Sequence, residues 1–450
     1  MSKPVFTHTQ DELKQIATEM LHYAKEKGAS DASVEISEGG GLSVSVRKGK
    51  VETIEQNRDK GIGITVYLGQ KRGNASTSDF SRQALRDTVE AAYNIARFTA
   101  EDDCAGLADA DMLEMHPQDL KLCYPWQISA EEAIAIAQRA EAAAFAVDKR
   151  ISNSEGAGVH VQQSHFVAAN SRGFIGGYPI SRHTISIAPI AGKGAHMQRD
   201  DWYSSQRDPK KLAQPEAIGR YAAERALARL RGRKLDTRKC AVLFEAPLAA
   251  GLLGSFVQAT SGSALYRKSS FLLDTLGQQI FPSHIQILED PHVAGGIGSS
   301  PFDDEGVRTQ KRDVVKDGVL QGYFLSSYSA RKLGMKTTGN AGGSHNLALT
   351  SSATRKADNF AAMLRKMGTG LLVTELMGQG VNYVTGDYSR GASGYWVENG
   401  VIQYPVEEIT IAGNLREMFT QIVAIGSDVL VRGTKQTGSI LIENMTIAGS

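Results

Sequence analysis

The stretch Gly394-Tyr-Trp-Val-Glu-Asn-Gly-Val-Ile-Gln-Tyr-Pro-Val406 carries the clearest structural signal in this sequence. Asn399-Gly400 stands between two runs that are rich in aromatic and β-branched residues, which favour strands. An Asn-Gly pair also suits the tight two-residue turn in which both central residues need a positive φ. The stretch therefore predicts a β-hairpin that joins residues 394–398 to residues 401–406.

A second pair of the same kind, Asp317-Gly318, lies between residues 313–315 and residues 319–325. Asp-Gly is the other strong signal for a two-residue hairpin turn. Both hairpins follow the polar segment at residues 231–236, which has the character of a domain boundary. We therefore predict a Gly-rich, β-rich C-terminal domain over residues 236–450.

Residues 1–122 are predicted to form an N-terminal α/β subdomain with antiparallel strands and flanking helices. Thr9 and Glu12 have the spacing of a capping box, and apolar residues then recur at helical intervals as far as Gly28. Alternating segments typical of strands come next, and a second helical pattern covers residues 81–98.

Residues 123–235 are predicted to form a middle subdomain of helices and a sheet. Ser129 and Glu132 make another capping box at the start of an Ala-rich helical pattern. Residues 159–169 and residues 182–190 alternate in polarity and suggest a second sheet, separate from the N-terminal strands. The chain as a whole is therefore predicted to be α+β.

The composition excludes several classes of protein. Lys+Arg 50 against Asp+Glu 49 gives a net charge of +1, so no global field attracts the chain to nucleic acid or to anionic lipid. No apolar run is long enough to span a membrane, and the N-terminus lacks a signal-peptide pattern. Cys104, Cys123 and Cys240 form no CxxC pair, which suits a reducing compartment. We therefore expect a cytoplasmic protein.

Familiar catalytic motifs are absent from the sequence. It contains no HExxH zinc motif, no phosphate-binding glycine loop and no GxSxG nucleophile motif. His160 and His165 are five residues apart in an alternating segment, so they are expected on opposite faces of a strand. His284 and His292 are too far apart along one strand to share an ion. Ordinary core or surface roles are therefore favoured for these histidines.

Ser329 and Lys332 match the SxxK spacing of serine acyl-transferases, in which the amine can act as a base. The companion motifs of those enzymes are missing, and Lys336-Thr-Thr-Gly339 only resembles one of them. A solvated helix turn is the simpler interpretation. A self-sufficient hydrolase that uses this pair remains as an alternative.

Several longer motifs give the sequence a family resemblance. Residues 385–400 and the continuation Pro405-Val-Glu-Glu-Ile-Thr-Ile-Ala-Gly-Asn414 resemble the C-terminal signature of the TldD/PmbA metallopeptidase family, also called the modulator of gyrase family. The resemblance covers nearly the whole chain and is closest to the PmbA (TldE) branch. The other matching motifs are Gly61-Ile-Gly-Ile-Thr-Val66, Tyr266-Arg-Lys-Ser-Ser-Phe-Leu-Leu-Asp274, Asp304-Glu-Gly-Val-Arg308 and Thr374-Glu-Leu-Met-Gly-Gln-Gly380.

The resemblance implies that this chain lacks the zinc site of the family. The TldD branch carries a His-Glu-x-x-x-His helix and a later cysteine ligand, which together hold zinc beside a carboxylate. Here Phe244 stands at the first ligand position, Glu245 at that of the catalytic acid, and Ala249 or Ala250 at the second ligand position, while no cysteine follows Cys240. We therefore expect no catalytic residue, metal or cofactor in this chain. Glu245 alone would bind a divalent ion only weakly at an exposed site.

The resemblance also implies partners. In the family a TldD-type chain supplies the zinc, and a PmbA-like chain completes a chamber that cleaves small, unfolded or modified peptides. An extended peptide could pair with an exposed strand edge. The Gly-rich run from Tyr388 to Trp396 offers Arg390 for a carboxylate or carbonyl, with Tyr395 and Trp396 as apolar walls. The alternative is that these residues pack the hairpin, since Tyr and Trp are common in sheets.

Two further expectations concern assembly and an alternative function. A chain that works through a partner needs apolar surface, so a twofold homodimer is expected in isolation. The alternative name of the family suggests a regulator of DNA gyrase. The nearly neutral charge argues against direct contact with DNA but permits contact with another protein.

Overall fold

Three sheets organise residues 6–449, which are the residues that the computed structural model describes. The first sheet lies in the N-terminal half, and the other two lie in the C-terminal half. Helices and sheets occur in both halves, so the α+β prediction is confirmed.

The N-terminal sheet has the strand order β3-β2-β1-β4-β6-β7, with β5 paired to β4 and β8 paired to β6. Every strand pairing within it is antiparallel. Its elements are α1 Gln10–Glu26, β1 Asp31–Arg47, β2 Lys50–Leu68, β3 Lys71–Thr77, α2 Arg82–Phe98, α3 Ala130–Phe145, β4 Ile151–Asn170, β5 Ile175–Gly176, β6 Pro179–Ala191, β7 Gln198–Arg199, β8 Trp202–Gln206 and α4 Pro215–Ala228, with short 3₁₀ turns at Ala110–Met112, Gly194–His196 and Pro209–Lys211.

One expectation about this half is wrong, because β4 and β6 do not form a second sheet. β4 pairs with β1 along its length, from Ser33↔Asn170 to Val46↔Ala157. The alternating pattern identifies a half-buried strand but carries no information about its neighbour. Residues from both predicted subdomains therefore share one continuous sheet.

All four helices of this half cover the same face of the sheet. α1 and α2 pack on residues such as Val34 and Ile36, and α3 and α4 pack near Val44 and Val46, which have the same parity in β1. The predicted capping boxes of α1, at Thr9, and of α3, at Ser129, are present. Each satisfies backbone N–H groups that a helix start leaves unpaired.

The C-terminal half contains two sheets, with strand orders β12-β11-β10-β13-β18 and β16-β15-β14-β9-β19-β17. In the second sheet β16 also pairs with β19, so five of its strands close into a ring. The elements of the C-terminal half are β9 Arg238–Phe244, α5 Ala246–Ala259, α6 Gly262–Tyr266, β10 Ile285–Glu289, β11 Arg312–Lys316, β12 Val319–Leu320, α7 Ser327–Lys332, β13 Leu347–Ser351, α8 Phe360–Met367, β14 Gly370–Met377, β15 Asp387–Glu398, β16 Val401–Asn414, α9 Leu415–Thr420, β17 Ile422–Ile425, β18 Lys435–Gln436 and β19 Ile440–Ala448.

Both hairpins predicted from the sequence are confirmed. Asn399 and Gly400 have φ values of 52° and 75°, and they join β15 to β16. Asp317-Gly318 joins β11 to β12, but β12 ends at Leu320 instead of residue 325. The chain leaves the sheet there because Phe324 pairs with Ser261 and packs in the core beside α5.

The main core of this half lies between the ring and α5. Val242, Phe244 and Val373 point from the ring into it, and Phe256 of α5 contacts the same cluster. Leu243 and Leu372 point to the other side of these strands, toward α8. Among residues 6–449, no helix combines the length and apolar character needed to cross a membrane.

Candidate functional site

The segment that corresponds to the zinc motif lies where β9 passes into α5. Phe244 is the last residue of β9 and is fully buried in the core. Glu245 is the N-cap of α5, and Pro247 occupies its first turn, where a missing N–H costs little. Ala249 is also fully buried, and Ala250 is half-buried. Three of the four motif positions thus present only carbon atoms, and Glu245 is the exception.

Glu245 is paired with an arginine from the other half of the chain. Arg225, in α4, donates from Nη1 to Glu245 Oε1 across 2.7 Å. Each of the two side chains is 13% exposed. The expectation of an exposed Glu245 is therefore wrong, because the Arg225 guanidinium pairs with the Glu245 carboxylate. This contact joins residues 123–235 to the C-terminal half.

The Arg225–Glu245 pair belongs to a larger charge cluster, made up of Asp200, Arg225, Arg229, Glu245 and Glu375. Arg225 Nε lies 3.3 Å from Asp200 Oδ1, and Arg229 Nη1 lies 3.8 Å from Asp200 Oδ2. Arg229 also donates to the Glu375 carboxylate. Burial would lower the pKa of Arg225, but the Glu245 and Asp200 carboxylates outweigh it and raise that pKa. The Arg225 guanidinium therefore stays charged.

The donor set of this charge cluster does not suit zinc. Its carboxylates face guanidinium groups, and no imidazole or thiolate belongs to it. Burial raises the pKa of the Cys240 thiol, in β9, to about 11, so it is not a thiolate at neutral pH. Within the described part of the chain, no three His, Cys, Asp or Glu side chains are grouped so as to hold a metal ion.

The four candidate peptide-binding residues have different environments. Tyr388 and Trp396 are 3% and 5% exposed and belong to the core beside α5, which is the packing role considered as the alternative. Trp396 donates from Nε1 to Glu398 Oε1 across 2.9 Å. Arg390 and Tyr395 are only partly buried. In the described part of the chain, Arg390 Nε has no hydrogen-bond partner.

Tyr395 lies beside the charge cluster instead of lining an open strand edge. Its backbone pairs with Leu372, and its ring packs on the side of the sheet that faces α8. Burial raises the pKa of Tyr395 to about 12; Arg225 lowers that pKa slightly, and Asp200 raises it slightly. Its hydroxyl is therefore neutral at physiological pH.

The alternative serine–lysine pair is not brought together. Ser329 closes a capping box with Ser326 at the start of α7, 3.2 Å between the two Oγ atoms. Lys332 Nζ instead donates to Asp102 Oδ1 across 2.9 Å. That hydrogen bond raises the pKa of Lys332 and helps to lower the pKa of Asp102 to about 2. A protonated amine that is bound elsewhere cannot deprotonate Ser329.

The histidines behave as the spacing predicts. His160 is exposed, whereas His165 is buried and its Nε2 lies 3.3 Å from Glu38 Oε2. His284 and His292 contact Ser351 and Thr309, respectively, and not each other.

A basic pocket that sequence reasoning missed opens beside the first turn of α5. We call it the α5 pocket, and its volume is about 360 Å³. Its residues come from four separate stretches of the chain, so no local pattern reveals it; the clue in the sequence is the acid-free run of residues 429–436. The residues that line it are Arg182, Tyr203, Ala246, Pro247, Ala250, Leu430, Arg432, Gly433, Thr434 and Lys435.

Comparison with known proteins places these features in a family context. Family profiles match residues 32–96 to PmbA/TldA metallopeptidase domain 1, residues 123–230 to the central domain and residues 237–449 to the C-terminal domain. The metalloprotease PmbA of Escherichia coli O157:H7 is 50% identical over 423 residues, which cover 94% of this chain and 93% of that protein.

Solved structures agree with this match. A Bacteroides thetaiotaomicron protein, named as a candidate modulator of DNA gyrase, superposes with a TM-score of 0.92 at 27% identity, covering 98% of this chain and 99% of that one. TldE from Thermococcus kodakarensis superposes with a TM-score of 0.83 at 20% identity, covering 96% of this chain and 100% of that one. The second likeness is one of fold.

Proposed function

Since this chain belongs to the PmbA/TldD metallopeptidase family, we propose that it is the metal-free subunit of a two-chain peptidase that processes small, unfolded or modified peptides. A TldD-type partner supplies the zinc and the catalytic residues. This chain contributes to assembly and to substrate binding. The observation that carries the proposal is the Arg225–Glu245 ion pair at the position of the zinc motif.

The ion pair supports the proposal through elementary electrostatics. A guanidinium already neutralises the one carboxylate that could activate a zinc-bound water. A second cation at this place would face the positive charge of Arg225 at short range. Phe244 and Ala249 have no lone pair to donate, so the motif lacks the ligands that zinc chemistry requires. The Arg225–Glu245 pair instead joins the two halves of the chain.

A partner-binding role is supported by aliphatic side chains on the surface of the C-terminal half. Val401 and Ile402, which follow the Asn399-Gly400 turn, are 60% and 41% exposed. Val423, Val429 and Val431 are exposed as well. Burying such side chains against a partner removes apolar surface from water, which favours binding. We place the assembly in the cytoplasm, which suits the free cysteines Cys104, Cys123 and Cys240.

The test is to purify the chain and a TldD-type partner separately and then mix them. We expect a complex whose mass corresponds to both chains, and peptidase activity that requires both of them. The partner carrying Gln in place of its motif Glu is the matched control, because it should assemble without activity. Activity of this chain alone, or a mixture that neither assembles nor gains activity, would contradict the proposal.

Regulation of DNA gyrase is the second candidate function, because a solved relative bears that name. The net charge of +1 offers no general attraction to DNA, so any such effect would act through protein contact. A supercoiling assay with purified gyrase, run with and without this chain, separates the two functions.

A further inference from the structure

The α5 pocket is distinguished by three basic side chains and no acidic one. Arg182 comes from β6, Arg432 from the loop before β18, and Lys435 from β18 itself. Across residues 6–449, none of the three forms an ion pair with a carboxylate. Arg225 and Arg229 in the adjacent charge cluster are, by contrast, paired with carboxylates.

The polar contacts of these three side chains leave donors free. Arg182 donates from Nε to Ser205 Oγ across 2.8 Å and from Nη2 to the Arg432 carbonyl across 3.1 Å. Arg432 Nη2 is buried and has no hydrogen-bond partner among residues 6–449. Burial lowers the pKa of Lys435, and burial together with Arg225 lowers that of Arg432. The pocket therefore holds positive charge that an anion would stabilise.

Aromatic rings hold the positive charge in place without neutralising it. The Arg432 guanidinium lies 3.6 Å from the centre of the Trp202 ring and 4.2 Å from that of Tyr203. Such stacking fixes the guanidinium plane and leaves its edge free to bind an oxyanion. The N-terminus of α5, where Ala246 and Pro247 line the pocket, adds positive potential of the helix dipole.

We propose that the α5 pocket binds the C-terminal carboxylate of a peptide. Ala250, Pro247 and Leu430 give the pocket aliphatic surface that suits a side chain next to that carboxylate. β18 is the last strand of the five-stranded sheet, so within residues 6–449 one of its edges has no neighbouring strand, which is the position that an added peptide strand takes in β-augmentation. The C-terminal carboxylate of an added strand would contact the basic side chains while its backbone pairs with β18, whereas a free phosphate would use only the positive charge. The inference rests on the proposed function, because it assigns a substrate contact to this chain.

The experiment compares two probes, an N-terminally labelled heptapeptide that ends in leucine as the free acid and the same peptide as the C-terminal amide. Fluorescence anisotropy is measured with the full chain and with its complex with the TldD-type partner. We expect the acid to bind about tenfold more tightly than the amide, since one charge-assisted contact is lost. Lys435→Met should reduce that ratio to about two, and Lys435→Arg should preserve it.

Lys311→Met is the matched control, because Lys311 pairs with Asp290 and does not line the pocket. It should leave the acid-to-amide ratio unchanged, and thermal unfolding should show that all variants fold. Inorganic phosphate serves as a competitor and should displace the acid only at millimolar concentration.

Two results would overturn the inference without affecting the proposed function. One is equal affinity for acid and amide in the unaltered chain, and the other is failure of both probes to bind a two-chain complex that is active. Displacement by micromolar phosphate would assign the pocket to free phosphate and also overturn it. Absence of partner-dependent peptidase activity would instead remove the proposed function itself.

Discussion

Arg225 and Glu245 meet across 2.7 Å although one stands in α4 and the other caps α5, and this pair connects the two halves of the chain. Each side chain is 13% exposed, so the contact is largely removed from water. A buried ion pair contributes little net stability compared with apolar residues, but loss of one partner is costly because the other charge stays buried.

Arg225→Met should therefore destabilise the chain by about 3 kcal/mol. The reason is that Glu245 loses the cation that neutralises it, while Asp200 keeps only the longer contact with Arg229. Thermal unfolding and urea unfolding measure the effect. The double variant Arg225→Met with Glu245→Leu should recover part of the loss, and a single variant as stable as the unaltered chain would contradict this account of the junction.

The purified chain should contain no stoichiometric zinc. Glu245 is paired, and Phe244 and Ala249 offer no donor atoms, so the motif cannot supply the three ligands of a catalytic site. Elemental analysis of chelator-free protein is the measurement, with a TldD-type partner as the positive control. One equivalent of zinc that Glu245→Gln removes would show that this segment does bind the metal.

Acid should destabilise the chain through Glu289, which lies at the end of β10. His345 N–H and Arg312 Nε donate to its carboxylate across 2.9 Å and 2.8 Å. Burial alone would raise the pKa of Glu289, but His345 and Arg312 outweigh it and lower that pKa to about 2. A lowered pKa in the folded state stabilises the fold above the unfolded pKa near 4.5, and this contribution disappears as the pH falls toward 2.

Glu289→Gln should consequently cost on the order of 3 kcal/mol at pH 7 and less than half of that at pH 3. Urea unfolding at a series of pH values measures the difference. Asp290→Asn is a useful control, because Asp290 is the next residue but is more exposed than Glu289. A Glu289→Gln penalty that stays constant from pH 7 to pH 3 would rule out this linkage.

Gly400→Ala should destabilise the Asn399-Gly400 hairpin by more than the cost of placing alanine at a positive φ, because the added Cβ also meets Arg365. Gly400 has a φ of 75°, and an added Cβ would lie 2.8 Å from the Arg365 Cα. The left-handed conformation costs about 1 kcal/mol for alanine. Gly49→Ala is the matched control, because Gly49 has a φ of 73° and nothing within 4 Å of an added Cβ. Equal loss of stability in both variants would show that the Arg365 contact relaxes freely.

The chain should be a dimer in isolation, because it exposes aliphatic side chains that a partner would otherwise cover. Sedimentation at micromolar concentration measures the mass. Ile402→Lys, at a side chain that is 41% exposed, should weaken assembly without a change in thermal unfolding. Thr53→Lys, on the exposed part of β2, is the control. A monomer with and without the TldD-type partner would contradict the assembly model.

Local features of the fold could be predicted from the sequence, and long-range ones could not. Asn399-Gly400, Thr9 and Ser129 determine turns and helix starts within a few residues, so their effects are visible in the order of amino acids. The pairing of β1 with β4 joins residues more than a hundred positions apart, and the alternating pattern does not encode it. Trp396 illustrates a further limit, since an aromatic strand residue serves a core and a binding wall equally well.

The candidate site shows the same division. The absence of zinc ligands at Phe244 and Ala249 can be predicted from the sequence once the family resemblance is recognised. The burial of Glu245 could not be predicted, because it depends on Arg225 of α4, and nothing in the sequence indicates that α4 lies beside Glu245. The α5 pocket could not be predicted for the same reason, because its basic side chains at residues 182, 432 and 435 come from distant parts of the sequence.

The ring of five strands in the C-terminal half has a consequence for synthesis of the chain. β9, at Arg238–Phe244, pairs with β14 and with β19, and β19 extends from Ile440 to Ala448. β9 therefore leaves the ribosome about two hundred residues before its last neighbour, and its edge stays unpaired for roughly ten seconds or more at usual rates of translation. During that interval the nascent chain presents an apolar strand to other chains. We expect a ribosome-bound chaperone to shield it, so overproduction without one should yield aggregates of nascent or truncated chains.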